Sequence, residues 1–153
     1  MKQMSIVWAR LVKDGETCTR CGNTGHELEE AVSKLAASLR PLGIEPVLEM
    51  REIDEAAFKA DPSASNRVWI AGKPIEEWLG ASVGMSPCCS VCGDSDCRTI
   101  EIGGRTYETI PQEQLIQAGL MAGSQMMAST SSSDGCATSC STAPGRAKGG
   151  SCC

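Results

Sequence analysis

The sequence predicts an α/β domain, and three observations carry that prediction. An apolar run of strand length, residues 6–12, stands near the start (Ile6, Val7, Trp8, Leu11, Val12). A segment with apolar residues at helical spacing follows (Leu28, Ala31, Val32, Leu35, Ala36, Leu39). A second strand comes next, at residues 44–53, where Leu48 and Met50 alternate with Glu49 and Arg51. A right-handed crossover through the helix makes the two strands parallel neighbours. The expected core is therefore a central sheet with helices against it.

The remaining elements follow in order. Residues 13–25 read as a loop. Thr24-x-x-Glu27 has the form of a capping box, which starts the first helix after Thr24. Pro41 ends that helix, with Gly43 beyond it. Residues 54–59 form a short helical turn. Arg67-Val-Trp-Ile-Ala is a strand closed by Gly72. Residues 74–79 give one helical turn, with Pro74 at its start and Gly80 after it. Residues 85–98 read as a second loop. Residues 99–102 and 105–110 flank Gly103-Gly104, a two-residue hairpin signal. A last helix spans residues 111–121. Trp8 and Trp69 are expected in the core, and Trp78 over the second loop.

From Ser124 onward there is no Leu, Ile, Val or aromatic residue. Such a segment cannot bury a core. The expected organisation is one domain at 1–122 and a disordered Ser/Gly/Cys-rich tail at 123–153. A net charge of −5 argues against a nucleic-acid surface, which wants a basic face. No stretch approaches the ~20 apolar residues of a membrane span. Residues 1–13 read as a strand rather than a secretory signal. The expected location is cytoplasmic, where thiols stay reduced and cysteine patterns serve metals or catalysis more often than disulfides.

The chemistry lies in ten cysteines. Cys18-Thr-Arg-Cys21-Gly22 lies in the first loop, and Cys88-Cys89-Ser-Val-Cys92-Gly93 with Cys97 in the second. Cys136, Cys140, Cys152 and Cys153 stand in the tail. Thiolates are strong nucleophiles and soft-metal ligands. In a redox role, Cys18 would attack a disulfide and Cys21 would resolve it, with Arg20 favouring the thiolate. In a metal role, all ten are candidate ligands. A four-thiolate zinc site could combine Cys18 and Cys21 with Cys89 and Cys92. The adjacent pair Cys88-Cys89 suits a soft ion taking two or three sulfurs, such as arsenic(III) or mercury(II). The spacing matches none of the usual iron–sulfur runs. A plain structural pair, and a dispensable low-complexity tail, are the alternatives without chemistry. His26, on an acidic helix start, reads as a solvated residue, and Met126-Met127 as a weak copper(I) candidate.

A strand, then Cys-x-x-Cys, then a helix and a strand resembles the thioredoxin fold. Four segments together resemble a small thioredoxin-like family catalogued as a domain of unknown function. They are Cys18-Thr-Arg-Cys21-Gly22 with its Glu-Leu-Glu-Glu helix, Arg67-Val-Trp-Ile-Ala-Gly-Lys-Pro-Ile-Glu76, Cys89-Ser-Val-Cys92-Gly-Asp94, and Cys97-Arg98 leading into the hairpin. The resemblance covers residues 4–121 and implies a fold but no activity. Thioredoxin-like proteins place a cis-proline before the strand facing the redox motif, whereas Asn66 stands before Arg67 here. The cysteine cluster and the terminal Gly-Gly-Ser-Cys152-Cys153 are similar to arsenical metallochaperones, and the final pair also to mercuric reductases. That likeness implies capture of a soft ion, possession of a thiol-bearing partner protein or transporter, and a role in metal resistance.

Overall fold

The computed structural model describes residues 1–88 and 92–129. In chain order the elements are β1 (Lys2–Leu11), α1 (Thr19–Leu39), β2 (Ile44–Ile53), α2 (Glu55–Ala60), β3 (Arg67–Ile70), β4 (Lys73–Pro74), α3 (Ile75–Leu79), β5 (Ser82–Pro87), β6 (Asp96–Ile102), β7 (Arg105–Tyr107) and α4 (Gln112–Ala128). The strands form two sheets, not the single one expected. The first has the order β2-β1-β3-β4, and the second the order β5-β6-β7. β1 and β2 are parallel, in register from Lys2 opposite Ile44 to Leu11 opposite Ile53. β3 and β4 are antiparallel, as is the whole second sheet. The class is α/β, with helices flanking the sheets.

Burial follows position in the sheet. Residues 6–9 of β1 are buried without a break, because β1 lies between β2 and β3 with both faces covered. Edge strand β2 leaves Val47 and Met50 exposed. The apolar stripe of α1 (Leu28, Ala31, Leu35, Leu39) is buried. It packs on β2 and α4. Close approach of α1 and α4 requires glycine: a Cβ at Gly119 would collide with Leu35, and one at Gly123 with Leu39. The hairpin between β3 and β4 turns on Ala71 and Gly72, both at positive φ. Asn66 also adopts positive φ, which Asn tolerates better than most residues. Its Oδ1 accepts from Trp8 Nε1 at 3.1 Å.

Four expectations need correction. Helix α1 begins at Thr19, not after Thr24. Its N-cap is Cys18, whose sulfur accepts the Cys21 N–H at 3.4 Å. The capping-box residues serve another helix. Thr24 Oγ1 accepts from Ile110 N, and Glu27 Oε2 from Gln112 N at the start of α4. Second, the supposed loop at 85–98 is a hairpin whose arms are β5 and β6. Third, α4 runs on to Ala128, past the helix end expected at residue 121. The rest of the expected tail, 130–153, lies outside the described residues. Fourth, Trp69 is half-buried beneath the Arg67 guanidinium. Trp78 packs beside α4 and donates to Ile70 O at 2.8 Å, and so does not cover the cysteine hairpin as expected. Among the described residues no helix is long and apolar enough to cross a membrane.

Candidate metal centre

Three segments converge at one end of β1. The turn after β1 delivers Cys18 to the N-terminus of α1. The end of β5 delivers Cys88, and the β5–β6 tip carries Cys92. Cys97 is the second residue of β6. The sulfurs of Cys18, Cys88, Cys92 and Cys97 all lie within 4.8 Å of one another. Such a set can hold a metal ion. Around a tetrahedral ion with metal–sulfur bonds of about 2.3 Å, sulfurs stand about 3.8 Å apart. Cys18 and Cys88 are at 3.7 Å, and Cys92 and Cys97 at 3.0 Å. Only small side-chain rotations separate this arrangement from a coordination shell.

Burial divides the four. Cys18, Cys92 and Cys97 are 2%, 6% and 1% exposed, while Cys88 is half-buried. Two side chains hold the hairpin in place. Arg20, buried in the first turn of α1, donates to Cys97 O at 3.2 Å and Pro87 O at 3.0 Å. It also pairs with Glu108 at 3.1 Å. Arg98 donates to Ser63 O and to Glu76 Oε1, which ties β6 to the segment before β3. Arg20 thus places positive charge beside a site that concentrates negative charge.

Cys21 stands one step behind Cys18. Its sulfur is 3.5 Å from Ser65 Oγ, and Ser65 Oγ accepts the Leu11 N–H. Ser65 Oγ thus joins the end of β1 to the Cys21 sulfur, and the Cys21 thiol in turn donates to Cys18. Hydrogen bonding from the Cys21 thiol is the main reason the Cys18 thiol falls to about 4, helped by the Cys21 backbone N–H and by the Cys88 and Cys92 thiols against the opposing effect of burial. Cys21 moves up, because it donates to Cys18 and is buried. Burial pushes Cys92 and Cys97 up as well. Cys18 is thus the thiol of the cluster in which the thiolate is favoured, while burial opposes ionisation of Cys92 and Cys97.

Of the ten cysteines singled out from the sequence, five lie among the described residues: Cys18, Cys21, Cys88, Cys92 and Cys97. Four form the cluster and Cys21 supports it. Cys89, Cys136, Cys140, Cys152 and Cys153 lie outside the described residues. Among the described residues Cys88 has the Cys18 sulfur as a neighbour at 3.7 Å, far away in sequence; the expected vicinal pair involves Cys89, which lies outside them. His26 is exposed and belongs to no metal-competent group among the described residues. Ser65 and Glu108 carry no signature in the sequence. They are found only because β1 and β7 end beside the same helix turn.

A sequence profile for the family described as "Domain of unknown function (DUF2703)" matches residues 4–119. An uncharacterized protein of Archaeoglobus fulgidus is 47% identical over 108 residues, covering 71% of this chain and 79% of its own. No solved structure matches the chain.

Proposed function

This chain belongs to the family Domain of unknown function (DUF2703), and from that premise we propose that it binds and transfers a soft metal or metalloid ion through the thiolates of Cys18, Cys88, Cys92 and Cys97. The observation that carries the reading is four sulfurs within 4.8 Å of one another, from three separate segments. Three-sulfur ions such as arsenic(III), and two-sulfur ions such as mercury(II), are served by such a set with sulfur to spare. A spare ligand lets an ion pass from one set of sulfurs to another without leaving protein. The tail cysteines, Cys136, Cys140, Cys152 and Cys153, would act as the capturing arm. The setting is a reducing cytoplasm, and the physiological role is delivery or resistance, with a thiol-bearing protein or transporter as receiver.

The strand order β2-β1-β3-β4, with the first cysteine motif at the junction of β1 and α1, supports a thioredoxin-like core. In that description the β5–β7 sheet is an insertion before the last helix. It brings three thiols to the redox-type motif.

The deciding experiment is native mass spectrometry of anaerobically purified protein, with and without one equivalent of arsenite. Uptake of one arsenic with loss of three protons is expected, since three As–S bonds replace three S–H bonds. Zinc that arsenite does not displace, and that leaves only on unfolding, would instead make the cluster a structural site.

A second reading rests on the Cys21–Cys18 hydrogen bond. A stabilised Cys18 thiolate with a thiol behind it suits disulfide exchange. Insulin reduction by dithiothreitol at the background rate, with the protein added, would remove that reading.

A further inference from the structure

We propose that Cys88 is the receiving thiol of the cluster, and that the cavity beside it seats the carrier that brings the ion, a small amino-acid-type thiol. The inference rests on the soft-ion reading and adds to it a route and a donor class.

Among the described residues, separate cavities touch Cys92 and Cys88. One, of about 210 Å3, touches Cys92 between Lys13, Glu55 and Lys59. There Cys92 is buried, 6% exposed, with the Cys97 sulfur at 3.0 Å. The other, of about 340 Å3, is lined by Cys88 with Thr19, Arg20, Asn23, Glu108 and Thr109. Cys88 is half-buried, the most accessible sulfur of the set. It lies 3.7 Å from Cys18, so an ion held by Cys88 is already beside its second ligand.

The cavity walls name the carrier. They are two threonines, an amide, a guanidinium and a carboxylate, with Pro87 and Cys88 completing the lining. The volume falls in the range of small-ligand sites, too small for a folded partner. The Arg20–Glu108 ion pair spans buried and exposed ground: Arg20 is 7% exposed and Glu108 64%. An exposed carboxylate can yield its place on Arg20 to the carboxylate of a ligand and meet the ligand's ammonium instead. A zwitterionic thiol fulfils both contacts while its sulfur, with the ion, faces Cys88.

The step is ligand exchange without redox change. The bond from carrier sulfur to ion breaks and the bond from Cys88 sulfur to ion forms. The Cys88 proton leaves on the carrier sulfur, which departs as a thiol. Cys18, and then Cys92 or Cys97, displace the second and third carrier sulfurs in the same way: each new bond to the ion replaces one carrier bond, and each carrier departs as a thiol with a proton from the incoming cysteine or from solvent.

The test uses the full-length chain with Cys136, Cys140, Cys152 and Cys153 all changed to Ser, so that only the folded thiols report. Arsenite is presented alone or as its tris-glutathione complex, and uptake is followed by near-ultraviolet absorbance in stopped flow. Cys88→Ser leaves Cys18, Cys92 and Cys97, enough for three As–S bonds, so stoichiometry should stay at one arsenic. Its uptake rate from the glutathione complex should fall by at least about tenfold, since access is a rate effect. Glu108→Gln should raise the concentration of complex needed for half-maximal rate and leave uptake of free arsenite unchanged. Equal rates for Cys88→Ser and its parent would overturn the proposal. So would a slowing confined to Cys92→Ser or Cys89→Ser. Failure of the parent to bind arsenic at all would strike the soft-ion reading itself, a separate outcome visible before any variant is compared.

Discussion

The two ends of the molecule are held together by different physics. At the α1–α4 face, Leu35 and Leu39 press against Gly119 and Gly123, and stability comes from apolar area removed from water. At the cysteine end, the second sheet is fastened by Arg20 to backbone carbonyls and by Arg98 to Glu76, and four sulfurs cluster within 4.8 Å. The first region is complete without any ligand. The second carries a set of contacts that an ion would convert from weak S–H interactions into bonds. The contrast teaches where ligand binding should be felt, and where it should not.

The strongest way to break the polar end is Arg98→Met. It leaves Glu76 nearly buried with no cation opposite, and an uncompensated buried charge costs about 3–5 kcal/mol. Urea unfolding should show that loss. A change below about 1 kcal/mol would mean the pair is solvated and the anchor lies elsewhere. The matching cut at the apolar end is Leu35→Ala, expected to cost about 2–5 kcal/mol from lost burial and a residual cavity. The loss should be the same with and without arsenite. If arsenite rescued Leu35→Ala while failing to protect the β5–β6 hairpin in hydrogen exchange, the two ends would not be separable.

Alkaline pH sharpens the comparison next. Cys21, Cys92 and Cys97 have thiols raised above their ordinary value of 9.0. Above that value the unfolded chain loses protons that the folded chain keeps. Stability therefore falls as pH rises past about 9, by up to about 1 kcal/mol per pH unit for each such thiol. Cys18 works in the opposite sense: its lowered thiol adds stability above 9, which is lost as pH falls toward 4. Thermal unfolding of the ion-free protein across pH 7–10 checks the balance. Bound ion should flatten the alkaline decline, because ligating sulfurs are thiolates at every pH of the scan. The smallest effect belongs to Glu27→Ala. It removes one acceptor from the start of α4 and should cost about 1 kcal/mol, with arsenite affinity unchanged in a calorimetric titration.

These contrasts also explain what the sequence could and could not disclose. The β1–α1–β2 unit was legible because its apolar periodicities are strong and its crossover hand is restricted. The start of α1 was not. Cysteine is not among the usual capping residues, and Gly22 and Gly25 weaken the helical signal in the first turns. Gly25 is there because the Trp8 ring occupies the space a side chain would need. The Thr24 and Glu27 pattern was real, but its partners are Ile110 and Gln112, a tertiary use that spacing alone does not reveal. β5 escaped notice because Ser82-Val-Gly-Met-Ser-Pro87 offers only Val83 and Met85 as strong apolar residues, interrupted by Gly84 and left exposed, and the strand is defined by its pairing with β6. The cysteines themselves were plain to see. Which of them meet depended on that pairing, so the set of Cys18, Cys88, Cys92 and Cys97 emerged only with the fold.

The position of Cys18 at the start of α1 has a consequence in time. A ribosome adding about 5–20 residues per second exposes Cys18 and Cys21 well before Cys97 exists. Until Cys88 is added the growing chain offers one pair of sulfurs and no enclosure. The four-sulfur arrangement comes into being only after β6 has paired with β5. On the proposed reading, retention of an ion would thereby be reserved for finished molecules, and an unfinished chain would surrender one as easily as any exposed dithiol.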